Sequence, residues 1–89
     1  MVYTVRQNML NNKYNVIYDN FKKFREEKKL SQRELCEKLE LIGLTMYKAD
    51  IYAIEHNKRA VKDFELLAFS IVFDKPIAEF YKNVKEFES

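Results

Sequence analysis

Glycine and proline occur once each in this 89-residue chain, as Gly43 and Pro76, and tryptophan is missing. So little punctuation cannot supply the tight turns of an all-β fold, and the expected class is all-α. The single cysteine, Cys36, excludes an intramolecular disulfide and points to a reducing compartment. No hydrophobic run approaches membrane length, and Met1 to Leu10 lacks the apolar core of a signal peptide. A cytoplasmic protein without membrane association is expected. Neither charge dominates: 16 Lys and Arg oppose 14 Asp and Glu, for a net +2. That is less basic than a typical nucleic-acid-binding domain, so any phosphate affinity has to come from local clustering. His56 has no Cys, His or carboxylate array at ligand spacing, and no nucleophile triad, paired-carboxylate cleft or Gly-rich phosphate loop is present. No enzyme, metal site or cofactor is expected.

What the chain does contain is helix grammar. Ser31 precedes a helical run and Glu34 follows three residues later, the signature of a capping box. The helix it opens covers Gln32 to about Leu39, with Leu35 and Leu39 inward and the small Cys36 beside them. A first helix is expected from about Asn15 to Lys28, with Ile17, Phe21, Phe24 and Lys28 in one stripe. The apolar connection Leu41 to Met46 holds Gly43, where a backbone shape that other residues resist is expected. A third helix spans about Lys48 to His56, with Ile51 and Ile54 inward, and Asn57 follows as a left-handed cap. The basic link Lys58 to Lys62 leads into a fourth helix whose expected stripe is Phe64, Leu67, Ala68 and Ile71. Pro76 then opens a fifth, amphipathic helix carrying Ile77, Phe80, Tyr81, Val84 and Phe87. Residues 1–12 form an arm, either loosely packed or a short strand, ahead of one domain over 13–89.

The segments Phe24 to Gln32 and Ile54-Glu55-His56-Asn57-Lys58-Arg59, with Asp63 to Leu66, resemble the lambda-repressor-like family of Xre- and Cro-type helix-turn-helix proteins. The likeness covers roughly Asn20 to Phe80. It implies a compact five-helix domain with the helix-turn-helix at helices two and three. The connection between them is about five residues longer than the usual turn. Two further departures stand out: Tyr47 replaces the family's Ser or Thr cap, with Thr45 as the substitute cap, and Asp50 brings a negative charge into the first turns of the recognition helix.

The resemblance implies sequence-specific binding to double-stranded DNA by a transcriptional regulator of bacterial or phage type. Tyr47, Lys48, Ala49, Tyr52 and Ala53 match base-facing positions; Gln32, Lys58, Arg59 and Lys62 match phosphate contacts. The two tyrosines have a second possible role, covering the apolar connection. Arg25 and Glu55 match a structural ion pair between helices one and three. A domain this small reads few base pairs, so a homodimer on a two-fold site is expected, with Phe80, Tyr81, Val84 and Phe87 as its surface. The competing expectation is a protein-interaction module on the same fold, antitoxin-like or a regulatory partner, without specific DNA reading.

Overall fold

In the computed structural model, residues 4–5, 13–84 and 87–88 are described. Four α-helices lie among them: α1 over Tyr18–Glu27, α2 over Gln32–Leu41, α3 over Lys48–Glu55 and α4 over Asp63–Phe73. A five-residue 3-10 helix, Ile77–Tyr81, follows. The only other regular element described is a two-residue antiparallel ladder between β1 (Thr4–Val5) and β2 (Phe87–Glu88). The expected arm over 1–12 therefore contributes a short strand at Thr4–Val5, and its other residues lie outside the described ones.

Each helix end has an identifiable cause. The capping box at α2 forms in full: Ser31 Oγ accepts from the Glu34 N–H at 3.0 Å, and Glu34 accepts from the Ser31 N–H at 2.8 Å. Helices α3 and α4 use only its acidic half. Asp50 accepts from the Tyr47 N–H and Glu65 from the Lys62 N–H, each at 2.9 Å. Thr45 does not cap α3, because its hydroxyl donates to Glu40.

All four helices end on a left-handed residue: Lys29, Gly43, Asn57 and Asp74. The next N–H in each case (Leu30, Leu44, Lys58, Lys75) reaches back five residues to Arg25, Leu39, Ala53 and Ser70 carbonyls. This Schellman geometry closes the helix ends that would otherwise expose carbonyls. Gly43 and Asn57 behave as expected; Lys29 and Asp74 take the same shape without glycine's freedom.

The first helix starts at Tyr18, three residues later than expected. Asn15 is claimed by other bonds. Its side-chain oxygen accepts from the Ile17 N–H, and its amide donates to the carbonyls of Ile54 and Arg59. Asn57 Oδ1 in turn accepts from the N–H groups of Tyr14 and Asn15, both at 3.0 Å. These two asparagines bolt the lead-in segment to the α3–α4 link.

The core joins Ile17, Phe21 and Phe24 of the first segment to Leu35, Leu39, Met46, Ile51, Ile54, Ala68, Phe69, Phe73 and Phe80. Phe21 meets Phe69 edge to face at 4.7 Å between ring centres, and Phe24 meets Phe80 at 5.1 Å. Such pairs add about 0.5–1.5 kcal/mol beyond burial of their area.

Two expectations are corrected by this core. The fourth helix turns Phe69 and Phe73 inward, while Phe64, Leu67 and Ile71 of the expected stripe are exposed; only Ala68 is buried as expected. Asp63–Phe73 is apolar on every face, so periodicity alone does not choose its phase. The phase is chosen by two phenylalanine rings, Phe69 and Phe73, against the single Phe64 of the other stripe, and by Glu65, which is drawn inward to Arg59.

The fifth helix is not an α-helix and does not reach Phe87. Lys82 is extended and Asn83 left-handed, which ends the 3-10 helix at Tyr81. The Asn20 amide donates to the carbonyls of Phe80 and Lys82, acceptors that a continuing helix would have used. Phe80 is fully buried in its own chain, so it is not available as a dimer contact. Tyr81 is partly exposed, Val84 is half-buried, and Phe87 belongs to β2 with its side chain outside the described residues.

Candidate nucleic-acid interface

The orientation of α3 is set by its inward residues. Ile51 and Ile54 are fully buried, and Glu55 is buried beside them with its charge matched. Arg25 Nε donates to one Glu55 oxygen at 2.6 Å and Nη2 to the other at 3.1 Å. Arg25 Nη1 donates to the Leu30 carbonyl, so the guanidinium also braces the α1–α2 turn. The Glu55 hydrogen bond holds the Arg25 guanidinium above its ordinary pKa, against the opposing effect of burial.

With that inward face fixed, the outward face follows from helical geometry. Tyr47 (70% exposed), Lys48, Ala49 and Tyr52 (47% exposed) all lie open to solvent, and Ala53 is half-buried. Neither tyrosine is packed away over the apolar connection. Tyr52 stacks instead on His56, one turn further on, with ring centres 4.0 Å apart. The Tyr52–His56 spacing of i, i+4 is the local sequence signal for this pair, the role that the structure gives His56.

The four expected phosphate contacts separate into different roles. Lys58 is exposed beside the end of α3. Lys62 is exposed too, but its ammonium sits 5.8 Å from the centre of the Phe64 ring. Gln32 is half-buried, and its side-chain amide donates to Glu55 at 3.2 Å. Arg59 is held by its own chain: Nη1 and Nη2 donate to the two oxygens of Glu65 at 2.9 and 2.8 Å, and Nη1 also donates to the Ala60 carbonyl. Arg59 Nε lies 3.6 Å from Asp50 as well. Asp50 is thus a helix cap that shares Arg59 with Glu65, so one guanidinium faces two carboxylates. The Gln32 and Arg59 side chains serve the fold, because both are committed to partially or fully buried carboxylates.

Glu65 lies below the usual glutamate range because Arg59 donates to it, reinforced by the Lys62 N–H and opposed by burial. A depressed carboxylate favours the folded state above its ordinary pKa, and that contribution is lost as pH falls through the lowered value. Glu65→Gln is therefore expected to cost stability at neutral pH and less at an acidic pH below the ordinary glutamate range. Urea unfolding of both proteins at the two pH values measures this. A pH-independent difference would mean that the Arg59–Glu65 pair does not form.

Cys36 is half-buried at the α2–core boundary, and burial raises its thiol pKa, so the reactive thiolate is disfavoured. Among the described residues, no group of three His, Cys, Asp or Glu side chains could hold a metal ion. No described helix is long and apolar enough to cross a membrane. No family model, no curated protein and no solved structure matches this chain.

Proposed function

We propose that α2 and α3 act as a helix-turn-helix and that the chain binds double-stranded DNA sequence-specifically, as a transcriptional regulator of bacterial or phage type. One observation carries this reading: α3 has a fully committed inner face and an outer face of Tyr47, Lys48, Ala49 and Tyr52 without inward packing, next to Lys58. A helix of this width fits the major groove, where Lys48 can address guanine O6 and N7 and the Ala49 methyl can meet thymine. Tyr52, held by its stack on His56, presents a hydroxyl of restricted direction to a base edge or phosphate. Lys58 supplies the phosphate contact that fixes the pose. A single such helix reads few base pairs, so two copies on a two-fold site complete the recognition.

Random-site selection followed by fluorescence anisotropy tests this. Lys58→Ala is expected to weaken binding to all sequences alike and to reduce the log–log salt slope by about 1. Lys48→Ala is expected to cost about 1–3 kcal/mol at the selected site and to relax preference at one base pair. Arg59 is unsuitable for this test, because its removal strips Glu65 of its partner. Failure to enrich any sequence, with binding insensitive to salt, would overturn the proposal.

A second reading is a protein-interaction module on the same fold. It is favoured by the C-terminal end of α2, where Leu41 and the capping residue Ile42 are exposed at the surface. Under that reading the selection yields no motif, and Leu41→Ser leaves stability intact while abolishing partner binding.

A further inference from the structure

The outer face of α4 carries an apolar stripe that is more than half exposed among the described residues. Phe64, Leu67 and Ile71 are 54%, 53% and 58% exposed, and their spacing places them on one side of the helix. Three large apolar groups in line on a regular element differ from single exposed residues, which are common on any surface.

Two residues of opposite charge flank the ends of the stripe, each next to a residue of the other sign: Asp63 beside Lys62, and Lys75, turned to Glu27 at 3.3 Å, beside Asp74. Lys62 holds its ammonium over the Phe64 ring at the N-terminal end, and Asp74 is exposed at the C-terminal end. The midpoint between Lys62 and Asp74 is position 68, and the midpoint between Phe64 and Ile71 falls beside it. Charge and apolar pattern thus share one centre. An antiparallel copy of the same helix, turned about a two-fold axis at that centre, would lay Phe64 against Ile71 and Lys62 against Asp74, twice over. Leu67 would lie next to the axis. A parallel arrangement would instead set lysine against lysine and aspartate against aspartate. Asp63, on the flank, is matched by the positive N-terminal end of its own helix.

We infer that this face of α4 is the surface through which a second copy of the chain docks, antiparallel and two-fold. The inference rests on the DNA reading only in that a two-fold site needs two copies; self-association is measured without DNA. Three partly exposed side chains make a small contact beside the roughly 800 Å² per partner of a standard stable interface, so weak pairing, on the order of micromolar or above, is expected.

Sedimentation of the full chain from about 10 μM to 1 mM, within that range, gives the first result. Leu67→Glu places two carboxylates beside the axis and is expected to weaken pairing at least about tenfold. The exposed position of Leu67 leaves the fold intact, which a urea curve checks. Lys62→Asp alone and Asp74→Lys alone are each expected to weaken pairing, and the two together to restore it to within about twofold. A chain that stays monomeric to the highest concentration overturns the inference. So does pairing that Leu67→Glu leaves unchanged, or a double exchange that fails to restore it. Binding of a generic 20-base-pair duplex, read by anisotropy, separates the two proposals. Pairing without DNA binding sinks the functional reading alone, and DNA binding by a strict monomer sinks this one alone.

Discussion

Arg25→Ala is expected to cost about 3–5 kcal/mol of folding stability, the range for leaving one member of a buried ion pair uncompensated. The geometry places the pair in that class rather than among surface bridges worth about 0–1 kcal/mol. Side-chain exposure is 12% for Arg25 and 2% for Glu55, and two donors of one guanidinium meet the two carboxylate oxygens. Without the arginine, the Gln32 amide is the remaining side-chain donor to Glu55 among the described residues, at 3.2 Å. A neutral amide does not balance a buried charge. Small domains have a total stability of about 5–15 kcal/mol, so the variant should unfold at a much lower urea concentration. Replacing both partners by apolar residues, Arg25→Met with Glu55→Leu, should recover a good part of the loss, because no charge is then stranded. A loss below roughly 0.5 kcal/mol for Arg25→Ala would place the pair at the surface, contrary to its burial. The consequence for function is direct. Glu55 ends α3, and its inward tether helps decide which residues that helix turns outward.

Phe80→Ala is expected to cost about 3–5 kcal/mol and to leave the association state of the surviving folded fraction unchanged. Phe80 is fully buried and meets Phe24 edge to face at 5.1 Å, with Phe73 6.2 Å away. Its removal opens a cavity beside the two remaining rings, Phe24 and Phe73, that can collapse only partly. Thermal melting monitored by far-ultraviolet circular dichroism measures the loss, and sedimentation measures the association. A variant of near wild-type stability but impaired pairing would move Phe80 back to a dimer surface. The expected contrast is Leu67→Glu, which should impair pairing with little effect on melting.

These two residues show where sequence reasoning succeeded and where it stopped. The Arg25–Glu55 pair was reached through resemblance, since thirty residues separate its members and no local pattern links them. Leu35, Leu39, Ile51 and Ile54 were legible from spacing, because α2 and α3 each have one apolar side and one polar side. The capping box at Ser31 and the left-handed Gly43 and Asn57 were equally local. The fifth helix was not legible. Ile77, Phe80, Tyr81 and Val84 fit a helical stripe, yet the Asn20 amide, about sixty residues away in sequence, takes the carbonyls on which that helix depends. In the sequence, Arg59 and Gln32 look like free polar groups next to α3. Their commitment to Glu65 and Glu55 depends on distances that no spacing rule supplies.

Local order was therefore determined by the sequence itself: where α2, α3 and α4 begin, where the chain turns, and which sides of α2 and α3 face inward. Capping, left-handed turns and single-sided apolar periodicity act over a few residues, so a few residues suffice to read them. Tertiary structure alone decided the phase of α4, the end of the last helix, and which charged groups remain open to a partner. Each of those is a competition for one limited resource, buried volume or a hydrogen-bond acceptor, among residues distant in the chain. Phe69 and Phe73 won the interior over Phe64, Leu67 and Ile71, and the losers became the exposed stripe of α4.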